Sequence, residues 1–191
     1  MTVHPGTTPA PVANRDVTPQ ARPDFPAIYR TEFSYVWNTL RRLGVPARDL
    51  EDLAHDLFLV VHRQIADYDP QRPLRPWLFG IAFRLVADFR RSSRQQREVL
   101  GNPIEPTDGA PAADESMVAA QARALLMKAL DALDLARRAV FVMHELDEIA
   151  IPEIAAVLGI PLNTAYSRLR LARAEVAAAA RRLRAGRAQH G

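Results

Sequence analysis

The chain has 191 residues, 48% of them hydrophobic, which is enough for one or two small domains with real cores. It contains no cysteine, so disulfide frameworks, cysteine-based zinc sites and thiol nucleophiles are excluded. The net charge is only +3, but arginines crowd 84–97 and 168–187 while acids crowd 49–56 and 145–153. That distribution suits a protein that meets both nucleic acid and another protein surface, with ordinary solvated helix faces as the plain alternative.

Residues 1–23 are rich in Pro, Thr and Ala, have little to bury and read as a disordered tail. They hold no apolar stretch of a secretory signal, and no apolar run in the chain approaches membrane-spanning length, so the expectation is a cytoplasmic protein without membrane insertion. From about Asp24 the pattern turns helical. Phe25, Ile28, Phe33, Val36, Trp37, Leu40 and Leu43 recur at spacings of three and four, and Gly44 with Pro46 ends the run. A second helix is predicted from about Ala47 to Ala66, with Leu50, Leu53, Leu57, Val61 and Ile65 in one apolar stripe. Glu51, Asp52, His55, Asp56 and His62 lie off it. The loop DYDPQRPLRP follows, and its prolines forbid continued helix.

Pro76 can occupy a first turn, and WLFGIAFRLVADFRR (77–91) reads as a third helix. It is apolar on more sides than one packing face requires: Leu78, Ala82, Leu85 and Phe89 on one, Trp77 and Ile81 on a second, Phe79 and Phe83 on a third. Either it is buried on several sides or part of its aromatic surface serves a partner. Periodicity is lost from Ser92 to Glu115, and GNPIEPTDGAPAAD reads as an interdomain linker, placed at 99–115. A second helical block, 116–185, begins with a helix through Leu125, Leu126, Ala129, Leu130 and Leu133. A further helix spans about Asp134 to Leu146, and 186–191 is expected to form a tail. No strand-like alternation appears. The expected fold is all-α, two small helical domains, 24–98 and 116–185, joined by a flexible linker.

The stretch IPEIAAVLGIPLNTAYSRLRLAR (151–173) compresses a short helix, a Gly-containing turn and a basic helix into a helix-turn-helix pattern. Ile154 and Leu158 form the buried pair of its first helix, Ala155 is small where helices cross, and Gly159 fits a left-handed cap. Pro161 fits the turn or first helical position, and Asn163 or Thr164 can support the start of the second helix. In that helix Ala165, Leu169, Ala172 and Val176 share the inward face. Asn163, Tyr166, Ser167 and Arg170 share the opposite one and are candidates for base edges, while Thr164, Arg168 and Arg173 flank it and are candidates for phosphates. A two-helix corner with a solvated arginine face is the structural alternative.

Taken together, the two blocks resemble a bacterial RNA polymerase sigma factor of the extracytoplasmic-function (ECF) group, over about residues 25–184. LEDLAHDLF (50–58) is similar to the acidic helix of sigma region 2, and DYDPQRPLRPWLFGIAFRLVADFRR (67–91) to the promoter-melting part of that region. EIAAVLGIPLNTAYSRLRLAR (153–173) is similar to region 4, with its Thr-x-x-Ser-Arg-Leu core. The resemblance implies that residues 25–98 bind the polymerase clamp and the minus-ten promoter element, and that 116–184 bind the minus-thirty-five element and the polymerase flap. It also implies an anti-sigma partner that holds the protein inactive. The chain departs from the family pattern at His55, at Arg84 and at the Ala165–Tyr166 pair on the base-reading face.

On this resemblance Glu51, Asp52, His55 and Asp56 offer a clamp-binding surface, where charge-assisted pairs set orientation and on-rate. Asp52-x-x-His55 also mimics part of a di-iron helix motif, but the second copy that motif needs is missing. For the minus-ten element, flipped bases need rings and cations. Trp77, Phe79 and Phe83 supply rings, and Arg84, Arg90, Arg91 and Arg94 supply cations. Asp67, Asp69, Gln71 and Arg72 shape a loop pocket. The five histidines are scattered without nucleophile partners, so no catalytic residue, metal or cofactor is expected and the protein is not expected to be an enzyme. The competing readings are a helix-turn-helix regulator that acts without binding polymerase, and a carboxylate-bridged metal enzyme.

Overall fold

A computed structural model describes residues 24–100 and 117–188. Among these residues all regular structure is helical, and no helix is long and apolar enough to cross a membrane. Helix α1 spans Phe25–Arg42 and α2 Leu50–Gln64, the second entered through a 3-10 turn at Ala47–Asp49 and left through another at Ile65–Asp67. Helix α3 spans Leu74–Leu100, α4 Met117–Leu130 and α5 Leu135–Phe141, which widens into a π turn over Val142–Leu146. Helices α6, Ile151–Leu158, and α7, Leu162–Ala188, complete the chain.

Several expected boundaries move. Helix α3 begins at Leu74, three residues before the expected Trp77 and with Pro76 in its first turn, and α4 ends at Leu130, short of Leu133. Helix α3 continues to Leu100 instead of stopping at Arg91, so 99–100 of the expected linker is helical. Ser92 to Glu98 offers no apolar stripe, but its Arg, Gln and Glu residues are good helix formers and no Gly or Pro occurs before Gly101. Helix α7 continues to Ala188, past the expected start of a tail at 186, carried by its alanine- and arginine-rich sequence. The remaining linker residues 101–115 and the tail 1–23 lie outside the described residues.

Helices α1, α2 and α3 pack around Ile28, Val36, Leu40, Leu53, Leu57, Val61, Leu78 and Val86, all buried. Helices α4 to α7 pack around Leu130, Val140, Met143, Ile154, Leu169 and Ala172. These two cores are continuous, because α3 packs against α6. At the crossing Gly80 lets the helices approach closely: a Cβ there would lie 3.1 Å from a methyl of Val157. The extra apolar surface of α3 is therefore answered by burial on several sides, one of them against the second domain.

The end of α1 forms another joint. Gly44 has φ +87, and the buried Arg138 of α5 is seated against it, donating from Nε to the Leu130 carbonyl at 2.8 Å and pairing with Asp131 at 2.6 Å. Arg90 of α3 donates to the Leu43 carbonyl at 2.6 Å, so a cation sits on a carbonyl at the negative end of α1. Gly159, the other left-handed glycine, has open space around its Cβ position. Gly159→Ala should cost about 1 kcal/mol from backbone strain alone. Gly44→Ala, which also displaces two anchored guanidinium groups, should cost clearly more in urea denaturation. Equal losses would mean that Arg138 is not seated against the α1 terminus.

Candidate nucleic-acid and polymerase interfaces

The helix-turn-helix geometry follows from local chemistry. Gly159 at φ 65 ends α6 with two bonds, Ile160 N–H to the Ala155 carbonyl at 3.0 Å and Gly159 N–H to that of Ala156 at 3.3 Å. Pro161 sits in the turn, and its carbonyl accepts the first bonds of α7 from Thr164 at 2.9 Å and Ala165 at 3.1 Å. Asn163 and Thr164 therefore lie inside the helix rather than capping it. Ile154 is buried as expected, whereas Leu158 is only partly so. Ala165, Leu169 and Ala172 are buried, and Val176 is partly buried. Asn163, Tyr166, Ser167, Arg170 and Arg173 are exposed, and Thr164 and Arg168 are half-buried at the border. Arg173 is held by Glu145, its Nε 2.8 Å and a terminal nitrogen 2.6 Å from the carboxylate. Any phosphate it meets competes with that pair.

Glu51, Asp52, His55 and Asp56 are all exposed along one side of α2, and among the described residues none of them is ion-paired. A sequence reading of α1 as core helix misses what stands beside them. Phe25, Tyr29, Phe33 and Trp37 follow at intervals of four and form a ladder of rings along α1, with Tyr29 4.7 Å and Phe33 6.0 Å from the Phe58 ring. Tyr29, Phe33 and Leu59 are exposed large apolar residues next to the acidic face. The four-residue spacing of the aromatics was the available signal.

The loop before α3 is prebuilt by its own side chains. Buried Tyr68 packs its ring, tilted by 47°, against Trp77 at 4.9 Å and donates its hydroxyl to the Arg72 carbonyl, and the Asp69 carboxylate accepts from the Gln71 N–H at 3.0 Å. Asp67, Asp69, Gln71 and Arg72 are exposed. On α3, Phe79 is fully buried, Trp77 and Phe83 are partly buried, and Arg84, Arg91 and Arg94 are exposed, with Arg91 paired to Asp88. Arg90 is spent on the α1 carbonyl, and burial, then the neighbouring Arg138, pulls its pKa below the usual guanidinium value. Trp77, Phe83 and Arg84 lie three or four residues from Gly80, on the side of α3 that meets α6.

A polar latch closes the other edge of the domain contact. The Tyr35 hydroxyl donates to Asp147 at 2.9 Å and Arg42 donates to its other oxygen at 3.1 Å. Arg75 stacks over the Tyr35 ring at 5.0 Å and pairs with Glu32 at 2.9 Å. Burial raises the Asp147 carboxyl above its ordinary range, against the opposing pull of Tyr35, Arg42 and Arg75. An open cleft of about 790 Å³ runs beside the latch, lined by residues of both domains including Ser34, Asn38, Pro76 and Ile149. Sequence spacing carries no signal for a pair 112 residues apart.

Comparison with known proteins agrees with this arrangement. The family described as Sigma-70 region 2 matches residues 28–96, and that described as Sigma-70, region 4 matches 123–176. The RNA polymerase sigma factor NccH of Alcaligenes xylosoxydans xylosoxydans is 30% identical over 142 residues, covering 72% of this chain and 76% of that protein. The ECF RNA polymerase sigma factor SigE of Mycolicibacterium smegmatis is 31% identical over 181 residues, covering 91% and 69%. In fold the chain is similar to the sigma factor RpoE of Bartonella quintana, solved in complex with the anti-sigma factor NepR, with a TM-score of 0.69 at 21% identity over 82% of this chain and 96% of that one. Two sigma regions in order, and relatives 30% and 31% identical that are themselves sigma factors, make this chain a member of the ECF group of RNA polymerase sigma factors.

Proposed function

We propose that the chain binds core RNA polymerase in the cytoplasm through α2, recognises promoter DNA through α3 and α7, and must open between its two domains to do so. The observation that carries this reading is the pairing of an exposed, unspent acidic face on α2 with an exposed Asn-Ser-Arg face on α7, within a family whose members are sigma factors. The working division is a region 2 unit at 24–98, a linker at 99–115 whose first two residues extend α3, and a region 4 unit at 116–185. Glu51, Asp52, His55 and Asp56 meet the polymerase, with Tyr29, Phe33 and Leu59 as apolar ground beside them. Asn163, Tyr166, Ser167 and Arg170 read bases upstream, and Thr164, Arg168 and Arg173 hold phosphates. Asp69, Arg72, Trp77, Phe83, Arg84 and Arg91 act at the minus-ten element. Arg90 joins them once the α1 terminus releases it.

Opening follows from length. The two promoter elements lie roughly 25 base pairs apart, about 85 Å of duplex at ~3.4 Å per base pair. Helices α3 and α6 are in contact, so one closed molecule cannot span them. The closed form also sets α6 against the side of α3 that carries Trp77, Phe83 and Arg84. An anti-sigma factor is the proposed inhibitory partner, in keeping with family membership. The chain does no bond chemistry in this reading.

The decisive experiment is transcription by core polymerase mixed with the full chain on a promoter library. Specific transcripts are expected, and absence of core binding would leave only a polymerase-independent regulator. In the same assay Asp52→Arg should lower affinity for core polymerase with the fold intact. Arg170→Ala should weaken promoter binding at one base pair by ~1–3 kcal/mol if its contact is bidentate, whereas an equal loss on every sequence would reduce it to a phosphate contact. Glu145→Gln frees Arg173, so it should strengthen holoenzyme binding to all duplexes alike and steepen the log–log salt slope by about 0.9. An unchanged slope would mean that Arg173 reaches no phosphate. Because the chain has no cysteine, cysteines placed at exposed Arg63 and Arg182 can carry a dye pair. Energy transfer should fall when polymerase and promoter bind, and a constant signal would rule out the parting of the domains.

A further inference from the structure

The reader helix exposes three large apolar side chains, Leu162, Tyr166 and Leu171, of which the first two lie together. Leu162 is 43% exposed and Tyr166 53%. Four residues apart, they lie one above the other on the same side of α7. At about 100° per residue Tyr166 borders the face that carries Asn163, Ser167 and Arg170, and Leu162 lies between Tyr166 and buried Leu169, at the edge of the inward face. Leu171, also exposed, falls on the opposite border.

Position and chemistry then narrow the use of the pair. Leu162 opens α7, and the N-terminal residues of the second helix are those that reach base edges in a helix-turn-helix. Its side chain has no hydrogen-bonding atom. In the major groove the one feature an aliphatic group can read is the C5 methyl of thymine. The neighbouring Arg168, Arg170 and Arg173 give the surface the charge of a nucleic-acid contact rather than of an apolar protein seat.

We propose that Leu162 and the Tyr166 ring form an apolar edge that reads thymine methyl groups in the upstream promoter element. Asn163 and Arg170 read the hydrogen-bonding pattern beside it. The inference rests on α7 being the upstream reader and adds a determinant of which sequence it chooses.

Holoenzyme assembled from the full chain and core polymerase first selects a minus-thirty-five element from a randomised duplex library. Each thymine of the selected element is then exchanged for uracil, which removes the methyl and keeps the pairing. Wild-type holoenzyme should bind about fourfold more weakly when uracil replaces a thymine under the pair, the effect of one methyl buried. The Leu162→Ala Tyr166→Ala double variant should bind thymine and uracil duplexes equally, and Tyr166→Phe should keep the preference. A selected element without thymine, a wild-type protein indifferent to every exchange, or a preference that survives in the double variant would each overturn the inference while leaving α7 as the reader. So would a double variant whose only loss is affinity for core polymerase, since that places the pair on a protein surface. If wild-type holoenzyme selects no element at all, the reading of α7 fails and takes the inference with it.

Discussion

Helix α3 carries apolar side chains around most of its circumference, and the rest of the molecule is arranged to cover them. Leu78, Phe79, Ile81, Ala82 and Val86 are all buried. Burying a large apolar side chain is worth about 1.5–3 kcal/mol, far more than an isolated helix gains from its own propensities. Helices α1 and α2 cover two sides, and α6 covers a third. The third contact is the consequential one, because it makes one continuous core from the two domains. The same surface thus serves twice, as ground for the second domain in the closed molecule and as ground for the minus-ten element in the proposed open one.

What closes the domains is partly unspecific and partly specific. The α3–α6 crossing is apolar and close, set by the absence of a side chain at Gly80. At the latch, burial raises the Asp147 carboxyl above its ordinary range even with Tyr35 and Arg42 bound to it. A buried charge whose desolvation is incompletely offset selects one arrangement rather than deepening it. The latch therefore sets the register of closure, beside the apolar crossing.

The α-helical class, the order of the elements and the helix-turn-helix were legible because each rests on local signals. Gly159 takes the left-handed cap that its place after Leu158 suggested, and Ala165, Leu169 and Ala172 turn inward as their spacing requires. Helix ends were less legible where polar helix formers continue without an apolar stripe, as after Arg91. The candidate site was readable as a set of exposed faces on α2 and α7. Its long-range part was not. Arg90 looks like a free cation in a basic run, yet the α1 carbonyl takes it. Arg138 follows Arg137 in sequence with nothing local to mark it for burial, yet it is buried against Gly44. Both outcomes depend on contacts about 47 and 94 residues away in sequence, which no periodicity encodes.

The turn between α5 and α6 shows how the local and long-range demands meet. Asp147 N–H reaches back to the Val142 carbonyl at 3.1 Å, closing the π turn, and Ile149 N–H reaches the Met143 carbonyl at 2.9 Å. Between them Glu148 takes φ 56, a left-handed conformation that costs a residue with a side chain about 1 kcal/mol. A glycine would relieve that strain but would also loosen the turn by widening its unfolded-state freedom. With Glu148 in this conformation, Ile149 enters the core while Asp147 faces back onto α1. The strained residue is thus the pivot between the buried anchor of the helix-turn-helix and the latch. The turn thus joins the latch residue to the entry of the helix-turn-helix.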